Sequence, residues 1–228
     1  LVAMQGFLLE MPGNSSPDFL SSQLYATLAH LRTANTALPQ PTNVISLVDP
    51  RFLQGHHDMC EYLAMLLQKL ARELPHKLAL SCGFHLFSSL QCLSCRQTNV
   101  TLTFKSLLLP LSIPGNTMSV AALIGEFSKA ENVADASSPC CANGVMCKKL
   151  ILHSQGHHLL FQLKRFTHSP VKIQTPIVLD PFLDANVLSL VKGAAPFTLE
   201  VVICHQGESR SSGHFTIYCR RKGKWFHF

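Results

Sequence analysis

Residues 201–225 read V-V-I-C-H-Q-G-E-S-R-S-S-G-H-F-T-I-Y-C-R-R-K-G-K-W, and two apolar runs within them flank a polar loop. Short runs rich in β-branched and aromatic residues, separated by glycine and serine, predict strands. We expect strands at residues 198–204 and 214–220, with the loop 206–213 between them. His214 is therefore predicted at the edge of a strand, beside a loop with two glycines and three serines.

His214 is the strongest local candidate for catalysis. A catalytic imidazole must be held rigidly and yet be reachable by substrate, and a strand edge beside a flexible loop provides both. Alternation of side chains along the strand predicts two sets of residues. The solvent set is His214, Thr216, Tyr218 and Arg220, and the core set is Phe215, Ile217 and Cys219. The alternative interpretation of His214 is a structural histidine at a loop edge.

The composition indicates a chain with a large apolar fraction and few charges. Apolar residues make up 47% and charged residues 14% of its 228 residues, against about 25% charged in an average soluble domain. Such a chain can bury a sizeable core. No apolar run approaches the ~18 residues of a membrane span, so no membrane partner is expected. Residues 1–11 do not resemble a signal peptide, and we expect the chain to be an internal fragment.

The formal charge of +6 comes from few charged residues, and its dense cluster lies at 220–224. Because that cluster sits in a short turn without interleaved aromatic residues, nucleic-acid binding is not expected, although a zinc-knuckle nucleic-acid binder stays open as an alternative. Nine cysteines without a secretory signal favour reduced thiols or a metal site over disulfides. We therefore expect an intracellular protein of the cytoplasm, the nucleus or both.

The order of predicted elements is helical first and then strand-like. The first 75 residues predict helices, one of them starting at Ser16-Pro17-Asp18, and a loop is expected from Thr33 to about Asn43. The helical stripe of this first helix is Leu20, Leu24, Leu28 and Leu31. A half-buried strand is expected around Val100–Lys105, with Val100, Leu102 and Phe104 on its apolar face. A further strand is expected at 158–166, a short helix at Val120–Phe127, and an extended loop or hairpin tip at 128–147. This order is an α+β pattern.

The helix that starts at residue 58 is the best-specified element. Asp58 is a natural N-cap, and Glu61 follows three residues later, which resembles a capping box. The apolar stripe is Met59, Tyr62, Leu63, Leu66, Leu67 and Leu70, and Leu74-Pro75 ends the helix. The simplest interpretation of both acids is structural, as a cap and a first-turn acid favoured by the helix dipole.

The cysteines at 92 and 95 predict a metal site. A C-x-x-C at a hairpin turn puts two thiolates on one side of a knuckle, which suits tetrahedral zinc. Cys140, Cys141 and Cys147 follow about 45 residues later and can supply the other two ligands, although their spacing is irregular. The alternative is a set of buried thiols without a metal.

Several motifs together resemble the ubiquitin-specific protease catalytic domain, a papain-like cysteine protease. Gln54–Leu63 resembles the start of the family's Gln-Gln-Asp-x-x-Glu-Phe/Tyr-Leu helix, and Cys92-x-x-Cys95 stands where the fingers' first zinc knuckle is expected. Leu163–Phe166 resembles the family's Leu-Lys-Arg-Phe strand, and Val201–Trp225 resembles its histidine box. The resemblance covers roughly residues 1–228.

The resemblance implies an α+β, papain-like ubiquitin-specific protease fold with a helical thumb and antiparallel β fingers and palm. Residues 1–228 are expected to form a single incomplete domain. Within it, the resemblance implies the thumb at 1–75, mainly fingers at 76–157, and mainly palm, with the histidine box, at 158–228.

The same resemblance implies roles for individual residues. His214 would be the general base that activates a cysteine nucleophile. Asp58, Glu61, His205 and Gly213 would contact the ubiquitin tail, which is basic and therefore suits a carboxylate. The implied zinc ligands are Cys92, Cys95, Cys141 and Cys147.

The sequence also departs from the family pattern. It has no Gly-Asn-Thr-Cys box, and it stops at Phe228, just before the expected Asp or Asn of the triad. His56 and His57 replace the usual glutamines. We therefore expect a deubiquitinase whose nucleophilic cysteine and triad acid lie outside this chain, so that the 228 residues alone are inactive. The alternative is a catalytically inactive scaffold that binds ubiquitin and ubiquitinated proteins.

Overall fold

The computed structural model describes residues 19–33, 42–74, 82–133, 140–141, 145–154, 157–166, 171–188, 196–209 and 212–228. These residues fall into two compact units. The first unit holds the described residues from 19 to 74, residues 171–172, and those from 200 to 228. The second unit holds the described residues from 82 to 166 and from 173 to 199. No described helix is long and apolar enough to cross a membrane.

The first unit begins with three α-helices and a short 3-10 helix. Their bounds are α1 Leu20–Thr33, α2 Thr42–Val48, the 3-10 helix Pro50–Leu53 and α3 Met59–Glu73. The predicted start of α1 at residues 16–18, like the side chains of Leu28 and Leu31, lies outside the described part of the chain. Leu20 and Leu24 are buried, as the predicted stripe requires.

The start of α1 is capped by the end of α3. The carboxylate of Glu73 accepts hydrogen bonds from the backbone N–H of Leu20 at 3.0 Å and of Ser21 at 2.8 Å. The first N–H groups of a helix have no partner within it, and the helix dipole favours negative charge there. Glu73 thereby ties two helices together through a pair that the sequence pattern does not reveal.

Helix α2 begins at Thr42, at the end of the region expected to be a loop. The prediction missed this helix because Pro, Thr and Asn dominate the preceding residues, and its apolar signal is only one turn long. Val44 and Val48, spaced by four residues, are both buried. Packing of this pair therefore overrides the weak local propensity.

Helix α3 confirms the stripe predicted for it. Leu66, Leu67 and Leu70 are buried, and the remaining stripe residues are half-buried. The side chain of Asp58 accepts a hydrogen bond from the backbone N–H of Cys60 and is the N-cap. The predicted N-cap and apolar face are therefore both observed.

The C-terminal part of the first unit is an antiparallel sheet. Its strands are β11 Val201–Gln206, β12 His214–Arg221 and β13 Lys224–His227, in that spatial order. Lys222 and Gly223 join β12 to β13 with φ angles of 48° and 78°. Positive φ at both central residues is the conformation that suits the right-handed twist of a two-residue hairpin.

The predicted two faces of β12 are only partly observed. Cys219 is buried as expected, but Thr216, predicted on the solvent face, is also buried. Phe215 and Ile217 are half-buried. Both faces of β12 are therefore covered at the middle of the strand. The prediction that Thr216 faces solvent was wrong.

The second unit contains ten strands and two helices among its described residues. The strands are β1 Phe84–Cys92, β2 Thr98–Ser106, β3 Leu109–Ser112, β4 Met118–Ser119, β5 Glu131–Val133, β6 Met146–Ser154, β7 Phe161–Lys164, β8 Ile177–Val178, β9 Phe182–Leu183 and β10 Phe197–Thr198. The helices are α4 Val120–Phe127 and the 3-10 helix Ala185–Leu188. Four of the strands form an antiparallel sheet in the order β2-β1-β6-β5. The others form three pairs, with β3 parallel to β7, β4 parallel to β8, and β9 antiparallel to β10.

One apolar core holds the second unit together. Its fully or nearly buried members are Phe84, Leu86, Leu109, Leu111, Leu123, Ile124 and Leu152. Burial of one side chain of this size contributes roughly 1.5–3 kcal/mol relative to exposure. Helix α4 has the predicted bounds, and the side chain of Ser119 caps it by accepting from Ala122 N–H. The predicted α+β class is confirmed.

Strand β2 differs from the prediction in its burial. Val100 and Leu102 were expected on a buried face, but they are 52% and 49% exposed. Thr101 and Thr103 are exposed as well. Because β2 is the edge of its sheet, pairing stabilises it on one side only, and no described element covers the face that carries Val100 and Leu102.

Candidate functional site

His214 is the first residue of β12 and is exposed to solvent. Its register partner on β11 is Gln206, so it stands at the open end of the strand pair, where the connecting loop begins. The sheet fixes the backbone of His214 on one side, and its imidazole is accessible on the other. This is the arrangement that the sequence predicted for a catalytic histidine.

A second histidine lies beside it. His205 precedes Gln206 on β11, and its ring packs against that of Phe215, with the centroids 4.9 Å apart. Partial burial lowers the pKa of His205 below its ordinary value, and the nearby positive charge of Lys172 lowers it further. Asp58 acts in the opposite direction. The N-cap of α3 is therefore close enough to influence this histidine electrostatically.

Two glycines shape the loop between β11 and β12. Gly207 has φ +147° and Gly213 has φ +128°, a region that side chains rarely adopt. A Cβ on Gly213 would clash with the Gln206 carbonyl oxygen and would stand 2.7 Å from Nε2 of His205. Gly213 is thus required where the backbone passes close to the end of β11.

Hydrogen bonds anchor the same loop. The ammonium of Lys172 donates to the carbonyl oxygens of His205 at 2.6 Å and of Gly207 at 3.0 Å. Residue 171 forms an antiparallel bridge with Ser209, and the hydroxyls of Ser209 and Ser212 are 2.6 Å apart. Lys172 could not be identified from the sequence, because no motif or periodic pattern links it to His205, which lies 33 residues later.

The two acids at the start of α3 have different surroundings. Asp58 is exposed, and its Oδ1 accepts from Cys60 N–H at 2.7 Å. Glu61 does not complete a capping box with Asp58. Instead, its carboxylate accepts from the guanidinium of Arg51 at 2.7 Å, and Arg51 also pairs with Asp49 at 3.2 Å. The structure therefore places Asp58 within electrostatic range of His205 and holds Glu61 in an exposed ion-pair cluster.

An aromatic contact supports the approach to α3. Phe52 meets the rings of His57 and Tyr62 edge-on, at centroid distances of 4.9 Å and 5.2 Å. Nε2 of His57 is 2.6 Å from the carbonyl oxygen of Gln54. These contacts fix the residues that lead into Asp58, and they give His57, which replaces a usual glutamine, a structural role.

The cysteine cluster lies at one end of the four-stranded sheet in the second unit. The sulfurs of Cys92, Cys95, Cys140 and Cys141 all lie within 4.8 Å of one another. Cys92 ends β1 and is buried, and the turn that carries Cys95 closes at Arg96, which has φ +66°. The predicted knuckle at a hairpin turn is therefore observed.

The second pair of cysteines differs from the prediction. Cys147 was expected as a ligand, but Cys140 occupies that place in the group. The reason lies in the register of β1 and β6, in which Cys92 is opposite Met146. Cross-strand partners share a face and successive residues alternate, so Cys147 points to the other face of the sheet from Cys92.

The cluster has the chemistry of a metal centre. A tetrahedral zinc with bonds of about 2.3 Å holds its four sulfurs about 3.8 Å apart, which the spacing within this group permits. Without a metal the thiols crowd one another, with the Cys95 and Cys140 sulfurs 3.2 Å apart. The hydrogen bond with Cys95, followed by partial burial and the neighbouring Cys92, raises the pKa of Cys141 to about 12. A divalent cation would favour the thiolate form of these cysteines and offset the repulsion between their negative charges.

Comparisons with known proteins find relatives of this chain in both sequence and structure. Ubiquitin carboxyl-terminal hydrolase 17-like proteins D and C of the mouse, Mus musculus, are each 29% identical over 147 residues. That alignment covers 61% of this chain and 27% of each relative. The chain therefore matches only a minor part of the length of these relatives.

Two similar solved structures are SAGA DUB modules that contain Ubp8, Sgf11, Sus1 and Sgf73. The module bound to ubiquitin aldehyde matches with a TM-score of 0.77 at 21% identity, covering 94% of this chain and 55% of that chain. A module with a substituted Ubp8, bound to monoubiquitin, matches with a TM-score of 0.74 at 22% identity, covering 93% and 54%. The predicted papain-like fold with thumb, fingers and palm is thereby confirmed.

The family model described as ubiquitin carboxyl-terminal hydrolase matches residues 10–228. This match spans nearly the whole chain, and it includes both the histidine-bearing sheet and the cysteine cluster. The chain therefore belongs to the ubiquitin carboxyl-terminal hydrolase family, a class of cysteine peptidases.

Proposed function

We propose that this chain is most of the catalytic domain of a thiol-dependent deubiquitinase, which hydrolyses peptide or isopeptide bonds at the C-terminal glycine of ubiquitin. The observation that carries the proposal is the exposed imidazole of His214 at the start of β12, close to His205, which is itself within electrostatic range of Asp58. The nucleophilic cysteine and the triad acid are proposed to lie outside these residues.

In this mechanism His214 takes the proton of the nucleophilic thiol and becomes an imidazolium. The thiolate attacks the carbonyl carbon of the ubiquitin C-terminal glycine, and the imidazolium returns the proton to the leaving amine as the bond to it breaks. His214 then takes a proton from water, whose oxygen attacks the acyl-enzyme. The bond between sulfur and the carbonyl carbon then breaks, and the imidazolium returns its proton to the sulfur. The products are free ubiquitin and the regenerated thiol.

The residues around His214 are proposed to receive the basic tail of ubiquitin. Asp58 is exposed, so its carboxylate can meet a cationic side chain while Oδ1 also caps α3. Gly213 is exposed and directly precedes His214, so its backbone can meet an extended peptide beside the imidazole. Glu61 is a weaker contact in this proposal, because Arg51 already engages its carboxylate.

The four clustered cysteines are proposed to hold a structural zinc through Cys92, Cys95, Cys140 and Cys141. Bound there, zinc supplies a cross-link between the β1–β2 turn and the segment that enters β6. The donor set is closed by four thiolates, which suits a structural site and leaves no position for substrate.

A comparison of this chain with the whole protein tests the proposed function. On a fluorogenic ubiquitin substrate, we expect no turnover by the 228 residues alone and thiol-dependent turnover by the whole protein. Monoubiquitin should bind both. Turnover by this chain alone would contradict the placement of the nucleophile outside it. Binding without turnover by the whole protein would instead identify a ubiquitin-binding scaffold.

The partners implied by this function are ubiquitin and ubiquitinated proteins. No disulfide joins any of the nine cysteines, all of which lie in the described part of the chain. This suits a reducing compartment, and the cytoplasm or nucleus is proposed as the place of action. Alkylation of thiols in intact cells, followed by mass spectrometry of the protein, would test this. Disulfide-bonded cysteines, which escape alkylation until they are reduced, would indicate an oxidising compartment.

A further inference from the structure

Lys172 reaches the loop before His214 from elsewhere in the chain. Its side chain is half-buried, and its ammonium donates to the carbonyl oxygens of His205 and Gly207, at 2.6 Å and 3.0 Å. These two carbonyls lie on either side of Gln206, which is the register partner of His214. A single cation thus holds the backbone on both sides of the residue opposite the candidate general base.

The loop needs an external anchor at this point. Gly207 and Gly213 both have positive φ, and glycine loses more conformational freedom on folding than any other residue. Hydrogen bonds to a charged donor are stronger than those between neutral groups. Two such bonds from Lys172 can therefore select one conformation of a loop that its own sequence leaves free.

We propose that Lys172 is a positioning residue: it fixes the turn after β11 and thereby the orientation of His214 for the thiol. This rests on the proposed function for its catalytic consequence, although the clamp itself can be measured in the isolated chain. Lys172 does not touch the reacting atoms. It acts through the backbone of His205 and Gly207.

Substitution Lys172→Met keeps an unbranched side chain, one atom shorter, and removes its donors and charge. The matched control is Lys224→Met, which makes the same change on β13 of the same unit. In the whole protein we expect Lys172→Met to lower kcat by about 10- to 100-fold, the range produced by small misplacement of catalytic groups. KM for the ubiquitin substrate should change little, and Lys224→Met should match the unsubstituted protein.

Measurements on the isolated chain separate this inference from the proposed function. By NMR, Lys172→Met should speed hydrogen exchange of the Gly207, Gly213 and His214 amides. It should also raise the pKa of the His205 ring. Burial lowers this pKa and the Lys172 cation lowers it further, His214 acts in the same direction, and Asp58 opposes them. An unchanged ring titration would show that the Lys172 cation does not lie beside His205.

Two further measurements test the proposal even if Lys172→Met does not fold. Lys172→Arg keeps a cation and donors to both carbonyls, so it should retain slow amide exchange and a kcat near that of the unsubstituted protein. In the unsubstituted chain, the ammonium protons of Lys172 should exchange more slowly than those of Lys224. Equal exchange of the two ammonium groups, or loop amides and kcat that are unaffected by Lys172→Met, would overturn the proposal. Slow exchange of the loop amides in the isolated chain, combined with no turnover by the whole protein, would refute only the proposed function.

Discussion

The two candidate sites of this molecule are stabilised by opposite means. The loop before His214 is fixed through its backbone. Two of its glycines have positive φ, and the Lys172 side chain donates two hydrogen bonds to backbone carbonyl oxygens. The cysteine cluster is held by four side chains that repel one another as thiolates and that a cation would bring together. The first site should therefore survive metal removal, and the second should survive loss of the histidine.

Loss of His214 should have the largest effect on activity and none on the cysteine cluster. His214→Ala removes the general base, and we expect hydrolysis by the whole protein to fall by about 10⁴- to 10⁶-fold. The exposed position of His214 means that little packing is lost, so the free energy of unfolding and the zinc content should stay unchanged. Steady-state hydrolysis of fluorogenic ubiquitin and metal analysis of the same sample measure both.

The matched control is His227→Ala, which removes a histidine on β13 of the same sheet that stacks on Tyr218. This variant should keep its turnover. If both variants lose activity equally, His214 has no special role and the sheet merely tolerates neither change.

Loss of a metal ligand should instead lower zinc content and destabilise the sheet that carries the cysteine cluster. Structural zinc contributes an apparent binding free energy of about 10–16 kcal/mol, so Cys140→Ser should lower zinc content and unfold the end of the β2-β1-β6-β5 sheet. Cys147→Ser is the matched control, since Cys147 faces away from Cys92. Metal analysis and amide exchange of residues 90–98 distinguish the two variants. Zinc retained by Cys140→Ser and lost by Cys147→Ser would restore the ligand set predicted from sequence.

Features that depend on residues close together in the sequence were predicted correctly. Helix α3 was predicted with its cap and its buried face, because the repeat of Leu66, Leu67 and Leu70 lies within a single helix. The fold class and the strand bearing His214 followed in the same way, from short apolar runs and from motifs that resemble those of a known family.

Residues that depend on distant pairing could not be predicted in this way. Cys140 replaces Cys147 because of the register between β1 and β6, in which Cys92 is opposite Met146. Lys172 and Glu73 act on backbone groups 33 and 53 residues away. No periodicity within a single element carries such information, so the chemistry of each site is easier to predict than the contacts that hold it.

A side chain at Gly213 should disturb the histidine loop by a moderate amount. Gly213→Ala forces a Cβ against the Gln206 carbonyl oxygen at φ +128°, and backbone strain of this kind costs about 1–3 kcal/mol. Denaturant unfolding should show this loss, and zinc content should not change. Gly115→Ala is the control, since its Cβ would meet nothing within 4 Å. Equal stability of the two variants would show that the loop relaxes freely.

The pH dependence of His205 should be the smallest effect, and it belongs to the histidine loop alone. Burial, aided by Lys172 and His214 and opposed by Asp58 and Ser212, lowers the pKa of His205 below its ordinary value of 6.5. The neutral ring is therefore favoured in the folded state, and its contribution to stability is present above pH 6.5 and lost as the pH falls through the lowered pKa. The difference in unfolding free energy between the unsubstituted chain and His205→Gln should shrink from about pH 7 to about pH 5, while the ring titrates below 6.5 by NMR. Titration above that value would mean that the Asp58 carboxylate outweighs burial and the Lys172 cation.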